Sequence, residues 1–262
     1  MKIGLIGAGN MARALARGWG DPVLCSDSGS GRAQALVDEL GGRATSNREV
    51  AAEADLVVLC HKPYQLRAVA REIAEAVEDT PVVSILGGTT LMQVQRQYQD
   101  VPVFRIEPST PVEVGRGVLL FATDVHPGDD SPRPAPIDPA LERQVVELFE
   151  RVGWVARVPE SLLGAAAATS AVGPAYLALI AEAWADAGIR HGLKPDLAGR
   201  LVAETMAGTA ALLTARDGNT LAVRREVTSP GGSTARGLDA LERAGLRSAF
   251  ADAMDAVDRA QP

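Results

Sequence analysis

Through the first half of the chain, short apolar runs alternate with longer stretches in which apolar positions recur every three or four residues. That rhythm predicts a parallel sheet covered by helices on both faces, a doubly wound α/β domain. The runs at 3–6, 23–25, 56–60, 82–85, 103–106, 118–121 and 153–158 read as strands, and 11–19, 32–40, 48–54, 65–77, 91–97 and 141–149 as helices. The proline-rich segment 126–139 fits neither a helix nor a central strand and reads as a surface loop. From Glu160 onward the strand signals stop and alanine-rich helical patterns follow at 174–191, 195–215, 220–227, 234–244 and 246–260, with Gly192 and Pro195 as stop and start signals. Two domains are expected, 1–159 and 160–262.

One stretch tests that division. Residues 162–181 carry no charge and have the length of a membrane span, yet they are mostly alanine, contain Thr169 and Ser170 and are interrupted by Gly173-Pro174. They read as two helices buried on all sides, within a subunit interface. So many small residues and so few large anchors predict a helical domain that completes its core as an intertwined homodimer.

Composition narrows the partners. The chain has 262 residues, 47% of them hydrophobic, and a net charge of −7. It carries no Lys/Arg run, which argues against a nucleic-acid surface. Cys25 and Cys60 each end an apolar run and read as reduced core thiols; His61, His126 and His191 lack ligand-spaced companions, so no metal site is expected. With the first strand starting at Lys2 and no basic leader before it, a cytoplasmic protein is expected, with no membrane association.

Two glycine-rich turns carry the chemistry. Gly7-Ala8-Gly9-Asn10-Met11-Ala12 lies between the first strand and the first helix, the context for seating a dinucleotide pyrophosphate on free helix N–H groups. Asp27, 20 residues after Gly7, stands where an acid bonds a ribose 2′-hydroxyl and favours NAD; Ser26, Ser28, Ser30, Arg32 and Asn47 would instead suit a 2′-phosphate. The second turn, Thr228-Ser229-Pro230-Gly231-Gly232-Ser233-Thr234, enters a helix and offers a pocket for a small carboxylate. Together they suggest a dehydrogenase or reductase of a small acid.

Over nearly its whole length the chain resembles the pyrroline-5-carboxylate reductases, which catalyse the last step of proline biosynthesis. The resemblance rests on Gly7 to Ala12, Lys62-Pro63, Arg105 with Pro108 and Thr110-Pro111, Gly173-Pro174-Ala175-Tyr176, and above all 227–234 with Gly237-Leu238, Leu241-Glu242 and Gly245-Leu246-Arg247. It implies an N-terminal Rossmann-like doubly wound α/β sheet that binds NADPH, with NADH as the second choice, and an all-α C-terminal dimerisation domain that often builds larger rings of dimers. It implies that Gly7, Ala8, Gly9, Asn10, Met11, Ser26, Asn47, His61, Lys62 and Gly87 line the cofactor. The imino acid substrate would be held by Ser229, Gly231, Gly232, Ser233 and Thr234 of the partner subunit, together with Asp217 on the preceding helix. The Thr234 hydroxyl is the expected catalytic group; its other reading is a helix cap.

The chain departs from the family pattern in places. Glu107 and Ser109 replace a methionine and an asparagine, which would alter polarity where hydride transfer occurs; Ala171-Val172 replaces Gly-Ser; His61 stands where valine is commoner; and the loop at 127–139 is longer. Glu107 reads either as a solvated or arginine-paired surface residue or as a selector of a cationic or differently substituted imine. Two alternatives follow: reduction of another cyclic imine or a keto acid in specialised metabolism, and a non-catalytic nucleotide-binding relative.

Overall fold

The computed structural model describes residues 1–99, 101–123 and 137–258, so His126, most of the proline-rich loop and the end of the last expected helix lie outside the described residues. The chain divides into two compact units, 1–174 and 175–260.

The first unit is built on one eight-stranded sheet. Its strands are β1 (Ile3–Ile6), β2 (Val23–Ser26), β3 (Gly42–Ala44), β4 (Leu56–Leu59), β5 (Val82–Ser84), β6 (Val103–Pro108), β7 (Gly117–Ala122) and β8 (Gly153–Val158), in the spatial order β3-β2-β1-β4-β5-β6-β7-β8. The helices are α1 (Asn10–Trp19), α2 (Arg32–Leu40), α3 (Asn47–Glu53), α4 (Leu66–Val77), α5 (Leu91–Gln95), α6 (Pro139–Glu150) and α7 (Leu163–Ser170). The order reverses between β1 and β4, the switch point at which doubly wound sheets bind ligands.

The two-residue period of the strands sorts the core. On one face Ile3, Leu5, Leu56 and Val58 pack with Leu15 and Trp19 of α1, Leu36 of α2 and Phe149 of α6; on the other, Ile6, Val57 and Leu59 pack with Val50 of α3 and Ile73 of α4. Trp19 meets Phe149 edge to face at 5.4 Å and donates its indole N–H to the Leu148 carbonyl. Burial pushes the Cys25 thiol up to about 12 and Cys60 well above the usual thiol value; Cys25 is a core residue and Cys60 is half-buried against the core.

Two features depart from the sequence expectation. Strand β3 had no apolar run to announce it, since Gly42 and Arg43 are exposed and it is ordered by pairing with Val23 to Cys25. Strand β7 pairs antiparallel with β6, because the tight turn Thr110–Val114 replaces a crossover helix; that turn packs so closely on α1 that a Cβ on Gly18 would lie 2.1 Å from the Val112 carbonyl oxygen.

The second unit is all helical: α8 (Gly173–Arg190, whose first two residues fall in the first unit), α9 (Pro195–Thr214), α10 (Thr220–Glu226), α11 (Ser233–Arg243) and α12 (Leu246–Asp258). The stretch at 162–181 does divide into two helices, α7 and α8, but burial on all sides is corrected for the protomer. Helix α7 buries only Leu163 and Ala168, and α8 buries none of its residues. By length and composition the stretch Glu160–Arg190 contains a segment apolar enough to cross a membrane. Leu177, Leu179, Trp184, Leu197 and Leu201 are about half exposed or more. This surface lacks a partner among the described residues of the protomer.

Candidate active site

A cavity of about 500 Å³ follows the C-terminal ends of β2, β1, β4 and β5. Gly7, Ala8, Gly9, Asn10 and Met11 form its floor. Gly7 has φ +104°, and a Cβ there would lie 2.8 Å from the backbone of Cys60 and His61, so the tight turn beside the end of β4 requires glycine. Gly9 is the N-cap of α1 with no side-chain capping bond, which leaves the first-turn N–H groups free for a ligand. A Cβ on Gly9 would meet only the Cys60 carbonyl oxygen, at 3.9 Å. The protein itself has room for a side chain there; the groove is what such a side chain would fill. That open cradle fits a dinucleotide pyrophosphate.

At the β2 end lie Asp27, Ser28, Ser30, Arg32 and Asn47. The Asp27 carboxylate is fully engaged by its own loop. Its Oδ1 accepts the Gly29 and Ser30 N–H groups at 2.7 and 3.1 Å, and its Oδ2 accepts the Ser30 hydroxyl and the Ala33 N–H at 2.9 and 2.8 Å. The Ala33 N–H foremost, with its neighbours, holds this carboxyl below the usual aspartate value. No lone pair remains for a ribose hydroxyl. The Arg32 guanidinium makes no hydrogen bond or ion pair among the described residues.

Ser26 is corrected. It is 1% exposed and does not line the cavity; its hydroxyl donates to Asn47 Oδ1 at 2.6 Å from behind. The Asn47 amide in turn donates to Glu72 at 2.8 Å, which fixes its orientation because a carboxylate only accepts. Asn47, His61, Lys62 and Gly87 do line the cavity, alongside Cys60, Pro63, Gln65 and Leu86, which sequence reasoning missed. Their signal was present, since each follows or flanks a strand end at the switch point. His61 Nδ1 lies 2.9 Å from the Lys62 carbonyl and its Nε2 has no partner among the described residues; burial holds this imidazole below the usual histidine value.

Two departures from the family pattern resolve as structural. Arg105, 6% exposed, pairs with Glu107 on the same strand and with Glu160 at 2.6 Å, and Glu160 also accepts the Leu91 N–H that opens α5. Glu107 is therefore the arginine-paired residue of the two readings. Ser109 is 2% exposed and both donates to and accepts from the Val118 backbone, closing the β6–β7 hairpin. Neither lines this cavity.

In the second unit, Ser229 to Gly232 form a turn, with the Gly232 N–H donating to the Ser229 carbonyl at 3.0 Å and Gly231 at φ +67°. The left-handed backbone at Gly231 favours glycine there, while a Cβ on Gly232 would lie 2.5 Å from the rotatable Ser229 Oγ. Gly232 caps α11 without a side-chain bond, leaving the N–H groups of its first turn, around Ser233 and Thr234, open. Thr234 stands inside the helix rather than at its cap, so the capping reading of its hydroxyl fails. Arg236, also missed, donates to the Gly231 carbonyl at 2.8 Å and braces the turn. Asp217 is corrected: it lies beyond the end of α9, in an exposed turn at φ +51°, a left-handed position that aspartate tolerates.

Comparison with known proteins bears on both units. Residues 160–261 match the family described as pyrroline-5-carboxylate reductase dimerisation, and residues 2–88 match the family described as NADP oxidoreductase, coenzyme F420-dependent. A pyrroline-5-carboxylate reductase of Synechocystis is 32% identical, over 99% of this chain and 96% of that protein. The structure of a pyrroline-5-carboxylate reductase from Coxiella burnetii superposes with a TM-score of 0.84 at 28% identity, over 99% of this chain and 97% of that one. The Plasmodium falciparum pyrroline carboxylate reductase, solved with NADP bound, gives 0.83 at 24% identity, over 100% and 97%.

Proposed function

Because the chain belongs to the pyrroline-5-carboxylate reductase family, we propose that it reduces 1-pyrroline-5-carboxylate to L-proline, an oxidoreductase of the C=N bond using NADPH, with NADH as the lesser coenzyme. The observation that carries this reading is the uncapped start of α1 behind Gly9, opening onto the switch-point cavity. Gly7 to Met11 hold the pyrophosphate there, Asn47, Ser28 and Arg32 take the adenosine end, and His61, Lys62 and Gly87 the nicotinamide end. When bound, the reduced nicotinamide supplies a hydride to the imine carbon.

The open N–H groups of α11, held by the Ser229 to Gly232 turn, grip the substrate carboxylate from the partner subunit. A protonated cyclic imine is already electrophilic, so fixed geometry supplies most of the acceleration and no strong acid is needed. The Thr234 hydroxyl is free to hydrogen-bond the ring nitrogen and orient its proton. Asp217, in its exposed turn, contributes from the edge of that pocket.

We place the functional boundary at 159/160; the start of the dimerisation-family match at residue 160 supports this, while α7 packs on β7 and so belongs by contact to the sheet. The exposed apolar faces of α8 and α9 are a subunit interface rather than a membrane span, giving a cytoplasmic homodimer able to join rings of dimers. Leu201→Glu, on the groove lined by Trp184 and Val202, is expected to convert the dimer to monomer by sedimentation velocity while NADPH still binds the first unit. A variant that stays dimeric would place the interface elsewhere.

The function is tested by following NADPH and NADH oxidation with pyrroline-5-carboxylate beside thiazoline carboxylates, six-membered cyclic imines and keto acids. Fastest turnover is expected with pyrroline-5-carboxylate. Preference for another imine selects the specialised alternative, and tight NADPH binding without oxidation on any of them selects the non-catalytic one.

A further inference from the structure

Asp27 sits where an acidic side chain normally accepts a ribose hydroxyl, yet its four acceptor positions are filled by Gly29, Ser30 and Ala33 of its own loop. The loop is thereby wound around the carboxylate and feeds straight into α2, whose N-cap, Gly31, lies at φ +73° and offers no side chain of its own. Asp27 is thus the anion at the start of that helix. Ser30 spends its hydroxyl proton on Asp27 and has none left for a ligand. Asp27, Ser28, Ser30 and Arg32 all line the cavity, and of these the Arg32 guanidinium has no partner among the described residues, which leaves it and Ser28 with donors for a ligand. The other wall is Asn47, locked between Ser26 and Glu72.

We infer that Asp27 is a positioning residue for coenzyme choice: it touches no part of the coenzyme but shapes the 28–33 turn so that Ser28 and Arg32 meet a 2′-phosphate. The inference rests on the reading of this cavity as the NADPH site. Three roles predict three different signs on removal of the carboxylate. A ribose ligand would lose affinity for the nucleotide without a 2′-phosphate. A merely repulsive charge beside the phosphate would, once removed, tighten binding of the 2′-phosphorylated nucleotide. A positioning group loses affinity for the 2′-phosphorylated nucleotide alone, against that electrostatic gain.

Calorimetric titration of the full-length protein with 2′,5′-ADP and with 5′-AMP separates them without any turnover. Asp27→Ala is expected to weaken 2′,5′-ADP by about tenfold, the scale of a lost charge-assisted contact, and to leave 5′-AMP within about twofold. Arg32→Ala alone, which leaves the loop bonds intact, is expected to cause a similar loss, and adding Asp27→Ala to it to cost little more, because the aspartate acts through the arginine. Unchanged or tighter 2′,5′-ADP binding in Asp27→Ala, an equal loss for 5′-AMP, or fully additive losses in the double variant would each overturn the inference. If the unaltered protein binds neither nucleotide, the coenzyme reading of the cavity itself fails; if it binds 5′-AMP alone, the coenzyme reading stands and this inference does not.

Discussion

Gly9→Val abolishes measurable NADPH binding, a loss of more than about a hundredfold or roughly 3 kcal/mol, while the protein stays folded. The expectation follows from what surrounds this glycine. Its backbone is in an ordinary extended conformation at φ −71°, and a Cβ would touch nothing closer than 3.9 Å. The fold therefore tolerates the new side chain, at a cost of about 1 kcal/mol or less for a poorer N-cap residue. The ligand does not, because the isopropyl group occupies the approach to the free N–H groups of α1. Gly7→Val provides the contrast. There φ is +104° and the added carbon would sit 2.8 Å from the backbone at Cys60 and His61, so stability falls, by about 1–2 kcal/mol for the left-handed backbone alone and more for the overlap. Fluorescence titration with NADPH, run beside thermal unfolding, distinguishes the two glycines. Retained affinity in Gly9→Val would mean that the coenzyme does not lie across the start of α1.

The different grounds for these two glycines show what a sequence discloses and what it withholds. The turn was legible because Gly7 to Ala12 is bracketed by a four-residue apolar run and an amphipathic helix, signals carried by neighbours in the chain. Most strands and helices were legible on the same ground, within a residue or two at their ends. Strand β3 was not, since an edge strand of three residues held by Val23 needs no apolar pattern of its own. The antiparallel turn of β7 depends on Gly18 and Gly117 both yielding space to Val112, an agreement between distant positions that no local window contains. The same holds at the site. Asp27 looked like a ribose ligand until its donors were counted, and Glu107 looked like a change in chemistry until Arg105 and Glu160 were seen beside it. In each case the hydrogen-bond partners come from positions that the residue's type and place in the chain do not reveal.

The helical unit carries the second large effect. Thr234→Ala is expected to lower kcat by about a hundredfold or more, within the range of a lost proton-orienting group, with the NADPH dissociation constant unchanged. Helix α11 should survive the substitution. Thr234 lies in its first turn but takes no part in the cap, which Gly232 provides, and alanine has the higher helix propensity. The proposed carboxylate grip should survive too, since the backbone N–H groups assigned to it are held in place by the Ser229 to Gly232 turn and Arg236. KM for the imino acid is therefore expected to rise by only a few-fold, which assigns the loss to the transition state rather than to ground-state binding. Thr234→Ser supplies the control: it keeps a hydroxyl at the same position and should restore most of the turnover, whereas Thr234→Val, isosteric but without the hydroxyl, should resemble alanine. Steady-state rates on all three variants decide the matter. Full turnover in Thr234→Val would remove the hydroxyl from the reaction and leave fixed geometry as the sole source of acceleration in this enzyme.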